Sequence, residues 1–559
     1  MVAGKGVLFA AATLAAIFFA PVPGQASEGA WPLQAVARAV DDTVARYGLP
    51  GIAVGVLVDG EVSQVEARGE TVAGSGEAID AATLFKIASN TKAMTGALLA
   101  RQVDAGLLAW DDPVVKHLPG FRMHEDWVTQ EIQVRDLLVH NSGLGPGAGD
   151  LMLWPEPNTF TRDEVIAGLA HLKPLWSFRS RYAYDNTLYI VAGEVAAAAG
   201  GAPYDVLLRR EVFEPLGMQA CRVGEWRVDG AGRVAAPHVR RDGHWEARRD
   251  GPVVADMPMS AAGGVHCTLD DMLRWARAWL DPGTADGEGK PWLSAVQREA
   301  VWTAHMPMPV ARRMRDWNRS HYHAYGYGWR LSDVNGTQKV AHTGTLSGMY
   351  SALSLLPEKD AGFVILINGD AGEARTVLEQ ALTTLFTACP GAEADPDACQ
   401  ARTAPPGEGL VGHYAALLAA ERSAASETTT QDSAPGSPSP TDAAAARHPV
   451  AASELAEVLG LYRDPWFGDA SVCEAEGGGV RFESRKSPRL AGPVLRAGQR
   501  LLVDFDTLGT DADAWLDFAD GAAGSAARTP QLRMAKVDPD ADFSYDYEDL
   551  AFQRVGACR

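Results

Sequence analysis

Positive charge is scarce in this chain. Fifty lysines and arginines stand against 71 aspartates and glutamates, a formal net charge of −21. That balance argues against a nucleic-acid partner, whose binding surface would be basic, and bears on solubility rather than fold. Cysteines are also few, six in 559 residues, and none form C-x-x-C, so the spacing is not that of a zinc site. No G-x-S-x-G is present, which argues against an α/β-hydrolase. His124 in HEDWV lacks the second histidine of a zinc-protease helix. His321 and His323 form a lone H-x-H suited to a surface loop. No metal or cofactor is implied. No internal repeat is found, and no second long apolar run follows the first residues.

That first run sets the expected compartment. Lys5 precedes an apolar stretch from Val7 to Ala20, Pro21 and Pro23 break it, and Gly24-Gln25-Ala26 offers small residues to a signal peptidase. The run is shorter than the roughly 20 residues a membrane span needs. It reads as a secretory signal peptide over 1–26, giving a periplasmic or secreted protein with no stable membrane span after cleavage. Such a chain can oxidise its thiols. Cys389 and Cys399 bracket a short segment and could close a local loop. Cys473 and Cys558 lie near the two ends of the last segment, where a bridge and two free buried thiols are both open.

An apolar fraction of 47% with 22% charged residues is that of a soluble globular protein. The length suggests two or three domains. "AVGVLVDGEVSQVEARG" from Ala53 reads as two strands joined at Asp59-Gly60, a strong hairpin signal. A helix follows to about Gly106, then a mostly helical and looped middle with "RDLLVHNSGL" and "LDDMLRWARAWL" as its clearest helices. Sheet signals return at "YGYGWRL", and strands fit Gln338 to His342, Tyr350 to Leu356 and Gly362 to Ile367. A last helix spans about Glu373 to Phe386. Terminal strand groups around a helical middle predict an α+β fold: an antiparallel sheet flanked by helices, with a helical subdomain beside it and a cleft between the two. The serine-, alanine- and proline-rich stretch from about Glu421 to Pro449 reads as a flexible linker, within a linker region of 389–450 that follows a 27–388 domain. Short strand-like runs in 451–559 predict a small, mostly-β domain, a barrel or curved sheet.

"FKIASNTKAMTGALLA" (Phe85 to Ala100) places Ser89 and Lys92 three residues apart, on one face at the entry of an apolar helix. A serine hydroxyl needs a base, and a lysine amine becomes one when burial lowers its pKa from about 10.4. A helix N-terminus adds local positive potential and free N–H groups for an oxyanion. Taken alone, the tetrapeptide fits an N-terminal cap and a snorkelling lysine better than chemistry. Two further clusters change the balance: Tyr184-Asp185-Asn186 before a helical pattern, and His342-Thr343-Gly344 on a strand-like run. The glycine would let a substrate backbone approach the strand.

These clusters, with "LAWDDPVVKHLPGF", "SAAGGVHCTLDDMLRWARAWL" and "AHTGTLSGM", stand in the order of the penicillin-recognising serine hydrolases. The chain resembles the serine β-lactamase/D,D-peptidase (penicillin-binding protein-like) superfamily. It is most similar to the branch with class C β-lactamases, D-aminopeptidases and esterases, over about Ala53 to Phe386. The final segment resembles a small β domain that follows some such hydrolases. The resemblance implies Ser89 as the acylated nucleophile, Lys92 as its base with Tyr184, and Asn186 as ligand of substrate and lysine. It implies His342, Thr343, Gly344 and Thr345 as the substrate-binding strand, with the N–H groups of Ser89 and Thr345 as oxyanion hole.

The departure is His342, where lysine is usual. A histidine is mostly neutral near pH 7, so the expectation is a hydrolase of esters, amides or peptides, D-amino-acid-containing ones among them, with little or no β-lactamase activity. The alternative is a penicillin-binding sensor that is acylated and turns over slowly. The sequence does not set the oligomeric state.

Overall fold

The computed structural model describes Met1 and residues 33–241, 243–248, 251–284, 289–387, 409–429, 446–508, 512–519 and 530–558. The signal-peptide expectation and Cys389 and Cys399 lie outside the described residues.

An eight-stranded antiparallel sheet organises the first part of the chain. Its strands are β1 (Gly51–Val58), β2 (Glu61–Gly69), β3 (Met306–Pro307), β4 (His323–Tyr325), β5 (Arg330–Val334), β6 (Thr337–Leu346), β7 (Met349–Leu356) and β8 (Ala361–Ile367), in the order β2-β1-β8-β7-β6-β5-β4-β3. The expected hairpin is present: Asp59 and Gly60 both take positive φ, 53° and 69°, which suits a two-residue turn between twisted strands. β1 is buried along its whole length because successive side chains point to opposite faces and both faces are covered. Ile52, Val54 and Val56 pack into a core with helix α1 (Leu33–Tyr47), while Ala53 and Leu57 join the other core. On that second side Gly55 lets the helix Leu269–Leu280 lie close, since a Cβ there would sit 2.7 Å from Leu273.

Helix α2 (Thr91–Asp104) runs through the centre, with all but three of its residues buried. The helix expected in "RDLLVHNSGL" is a short 3-10 turn, Val134–Leu138, because Asn141, Ser142 and Gly143 follow at once and His140 takes a positive φ of 57°. Helix α3 (Thr187–Gly200) lies beside α2. Trp275 and Trp279 of Leu269–Leu280 pack with Trp292, Trp302 and Trp329. That cluster fixes the chain just before Arg330 at the start of β5.

The expected linker needs correction. Helices α4 (Gly372–Thr387) and α5 (Gly409–Thr429) pack on each other and on α1. α5 places Leu410, Val411, Tyr414, Ala415 and Leu418 in the same core as β1. That i, i+1, i+4, i+5, i+8 stripe is a helical face, and it lies mostly upstream of the low-complexity stretch.

The C-terminal part is a closed barrel. Strands β9 (Arg447–Pro449), β10 (Gly460–Asp464), β11 (Gly468–Glu474), β12 (Val480–Ser484), β13 (Ala491–Ala497), β14 (Arg500–Val503), β15 (Ala514–Ala519), β16 (Gln531–Lys536) and β17 (Phe552–Gly556) run in the order β9-β13-β12-β11-β10-β17-β16-β15-β14, and β13 also pairs with β14. That extra pairing closes eight strands and removes the free sheet edges. Disulfides join Cys473 to Cys558 and Cys221 to Cys267. The barrel docks on the first part through Phe160 against Phe467, the Lys486–Glu164 ion pair and Arg489 donating to the Glu156 carbonyl.

Candidate active site

Ser89 sits in a single 3-10 turn, Ala88–Asn90, leading into α2. Ala88 has φ 47°, an uncommon conformation for a residue with a Cβ, of the kind stored at functional sites. The turn is stapled to the sheet: Asn90 donates to Ser351 Oγ at 2.8 Å, and Ser351 Oγ donates to the Ile87 carbonyl at 2.7 Å.

Two groups converge on the hydroxyl. Lys92 Nζ lies 3.2 Å and Tyr184 Oη 2.9 Å from Ser89 Oγ. Lys92 has no exposed surface, and its Nζ also donates to Asn186 Oδ1 at 2.7 Å and to the Ala262 carbonyl at 2.9 Å. Burial brings its pKa down to about 7, with Arg330 acting in the same direction and Asp150 and Asp185 opposing. A neutral amine has two N–H donors and one lone pair. The two donors are taken by Asn186 and Ala262, which leaves the lone pair for the Ser89 proton. Burial raises the Tyr184 phenol to about 12 although Arg330 pulls it down, so at neutral pH the group is a donor rather than a phenolate.

Asn186 holds the N-cap position of α3, but its side chain makes no capping bond. Asp185 Oδ1 instead accepts from Leu188 N at 3.1 Å in the first turn, and the Asn186 amide bridges Lys92 and Asp150; its Nδ2 donates to Asp150 Oδ2 at 2.8 Å. Burial holds the Asp150 carboxyl well above its ordinary range.

The cleft encloses about 1030 Å³ and is lined, among others, by Ser89, Tyr184, Asn186, Arg330, Thr343 and Thr345. Strand alternation divides the "HTGT" stretch. Thr343 and Thr345 face the cleft, while His342 and Gly344 belong to the opposite face of β6. His342 and Gly344, expected on the substrate-binding strand, are thus not among the side chains that line the cleft. His342 is fully buried, with Nε2 2.8 Å from Tyr325 Oη and Nδ1 2.8 Å from the Thr343 carbonyl oxygen. Burial, then Arg330 and Lys92, push its pKa well below the ordinary histidine value. At Gly344 a Cβ would lie 2.2 Å from the Ile87 carbonyl and 2.4 Å from Ser351 Oγ, so the close approach it permits is that of the turn carrying Ser89.

Several residues escaped sequence reasoning. Arg330 donates to Thr343 Oγ1 at 3.1 Å and lies 5.8 Å from the Tyr184 ring. Arg375 of α4 donates to the Gly344 carbonyl and to Thr345 Oγ1, each at 2.9 Å. His140 packs on Tyr184 with ring centroids 4.3 Å apart. Arg330 adjoins the quoted "YGYGWRL" glycines and His140 lies in "VHNSGL", but neither stretch says which side chain turns inward. Among the described residues no three or more histidine, cysteine, aspartate or glutamate side chains converge as a metal site.

A serine with a buried amine and a phenol on its hydroxyl, in a turn packed against the inner strands β6 and β7 of an antiparallel sheet, is the arrangement of a serine hydrolase. The Beta-lactamase family matches residues 36–385, and the chain belongs to that family. It is 31% identical over 330 residues to Penicillin-binding protein 4 of Amycolatopsis lactamdurans, covering 58% of this chain and 82% of that one. It is 24% identical over 342 residues to the D-alanyl-D-alanine-carboxypeptidase/endopeptidase AmpH of Escherichia coli (strain K12), covering 59% and 83%. Unguisins hydrolase ungD of Aspergillus violaceofuscus is 25% identical over 351 residues, covering 59% and 60%. Among solved structures, the octameric penicillin-binding protein homologue from Pyrococcus abyssi shares the fold with a TM-score of 0.54 at 16% identity, over 93% of this chain and 99% of that one.

Proposed function

We propose that this serine hydrolase is exported and acts through an acyl-enzyme on Ser89, on peptides and amides, D-amino-acid-containing ones among them, and on esters, with little or no β-lactamase activity. The observation that carries the reading is the convergence of Lys92 Nζ and Tyr184 Oη on Ser89 Oγ. Neutral Lys92 takes the Ser89 proton as Oγ attacks the carbonyl carbon. The N–H groups of Ser89 and Thr345 receive the developing oxyanion. Tyr184, a protonated phenol, hands a proton to the leaving group and is reprotonated from Lys92. Water then attacks the ester by the reverse path. Asn186 orients Lys92 and the substrate amide.

Arg330 alters what the histidine on β6 suggested. A permanent cation does line the cleft, supplied from β5 instead of β6, and it suits a substrate carboxylate beside Thr343. The relative named a D-alanyl-D-alanine-carboxypeptidase/endopeptidase fits that substrate class. The apolar run at 7–20 supports export with removal of residues 1–26. Among the described residues no helix is long and apolar enough to cross a membrane.

The test is a hydrolysis screen of the purified full chain with p-nitrophenyl esters, D-amino-acid amides, peptides ending in D-alanine and nitrocefin. Expected is Ser89-dependent turnover of esters and peptides, with nitrocefin slowest. A stable label from fluorescent penicillin without product from any substrate would instead identify a sensor.

A further inference from the structure

The barrel's last long connection, residues 537–551 between β16 and β17, reaches into the catalytic cleft. Asp542, Phe543, Ser544 and Tyr545 line that cleft together with Ser89 and Tyr184. The approach is built into both parts of the chain. Asp546 accepts from Gly149 N at 2.6 Å and from Leu151 N at 3.1 Å, on either side of Asp150, which carries Asn186. Asp546 is buried, and each of its two carboxyl oxygens is held by one of these N–H groups. Gly147 makes room for the turn: a Cβ there would lie 2.5 Å from the Phe543 carbonyl oxygen and 2.9 Å from its ring. The Phe543 ring stands edge-on to Tyr184, centroids 5.6 Å apart at 80°, while Tyr184 Oη touches the nucleophile.

Phe543 is also 39% exposed. A large apolar side chain gains little by standing in water. Here the exposed part opens on the cleft, beside the group that meets substrate at Ser89. A rigid aromatic wall is suited to setting the size of what enters.

We propose that Phe543, held by the Asp546 anchor, is a specificity-determining residue of the hydrolase site. It closes the cleft beside Tyr184 and limits the bulk of the substrate group bound there, so that the barrel is part of the active site. This rests on the Ser89 acyl-enzyme reading. One apolar group more or less in a pocket changes discrimination by roughly 10- to 200-fold, which is the scale expected.

The experiment uses the full chain and two fluorophosphonates, one with a small and one with a bulky phosphonyl substituent, and measures the second-order rate of Ser89 labelling by each. Phe543→Ala is expected to raise the bulky-to-small ratio by about tenfold or more, Phe543→Leu by less, and Phe543→Trp to lower it. Thermal melts accompany each variant. If Phe543→Ala fails to fold, the leucine and tryptophan variants must still order the ratio by side-chain size. A ratio that stays within about twofold across the folded variants overturns the proposal. A wild-type chain whose labelling does not depend on Ser89 overturns the acyl-enzyme reading itself, and the two failures are thereby distinct.

Discussion

Asn186 holds Lys92 by its carbonyl and Asp150 by its amide, 2.7 and 2.8 Å away, so a buried amine and a buried carboxyl face each other through one side chain. The arrangement orients the lysine without pairing it directly to a carboxylate. A direct ion pair would keep the amine protonated, whereas burial with an amide partner leaves its pKa at about 7.

The first prediction follows from that value. As the proposed base Lys92 must be neutral, so kcat/KM should rise as pH increases through about 7 and level off above it. Tyr184, raised to about 12, should place any alkaline limb far higher. His342 should contribute no limb near 6.5, because burial keeps it neutral. A pH–rate profile on an uncharged ester decides this; an acid limb near pH 5 would remove lysine as the base.

Mutation of the reacting groups gives the second. Ser89→Ala should abolish fluorophosphonate labelling while leaving the melting temperature unchanged. Lys92→Ala and Tyr184→Phe should each lower kcat by at least about 10²-fold. Since both act on one hydroxyl, the double variant should be little worse than the poorer single one. Losses that multiply cleanly would mean that the two work independently.

The buried histidine gives the third. His342→Lys would place an ammonium beside Arg330 and Lys92, both of which already disfavour charge at this position. An unpaired buried charge costs at least about 3 kcal/mol, so the variant should melt earlier rather than gain affinity for penicillins. The wild type follows the same logic with pH. A histidine whose folded pKa is depressed leaves full stability above its unfolded value, about 6.5, and stability is lost as pH falls from there toward the folded pKa. Denaturation midpoints measured at pH 8 and pH 5 for wild type and His342→Gln test it: the glutamine variant should lose less stability between the two.

The fourth concerns the barrel's ends. Cys473 and Cys558 are bridged across 85 residues, a loop whose closure stabilises by about 4 to 5 kcal/mol in the chain-entropy model. Cys473→Ala with Cys558→Ala should lower the barrel's unfolding midpoint by a corresponding amount, and non-reducing peptide mapping of the wild type should recover the joined pair. Recovery of two free thiols would count against it.

Much of the sheet was legible because its signals are local. The Asp59-Gly60 turn, the short apolar runs of β7 and β8 and the helix Leu269–Leu280 need only near neighbours to be read. Ser89 and Lys92 stand three residues apart, so one helix entry displays both. What was missed depends on which face a residue takes. "HTGT" shows four polar or small residues in a row, and only the register of β6 against β5 and β7 decides that Thr343 and Thr345 meet the cleft while His342 and Gly344 turn inward. Asp150 reaches the site from a short turn, Arg330 from the first residue of β5 and Phe543 from a second domain, with no spacing to announce them. The Cys221–Cys267 bridge was likewise hidden, since its partners meet only where Arg222 and His266, distant in the chain, pair their backbones.

Arg330 carries the last prediction, because it links the electrostatics of the base to the choice of substrate. Its guanidinium lines the cleft beside Thr343 and disfavours protonation of Lys92. Removing the charge in Arg330→Gln should do two separable things. The acid limb of kcat/KM should move to higher pH, since Lys92 would then hold its proton more tightly while Asp150 and Asp185 remain. On peptides with a free carboxylate KM should also rise, by about tenfold or more for a lost charged hydrogen bond, whereas on neutral esters KM should change little. Measuring full pH profiles on one ester and one carboxylate-bearing peptide separates the two effects. A shift in the limb without any change in relative KM would leave Arg330 as a tuner of Lys92 alone, and the carboxylate would have to be met elsewhere in the cleft, with Arg375 the next cation along β6.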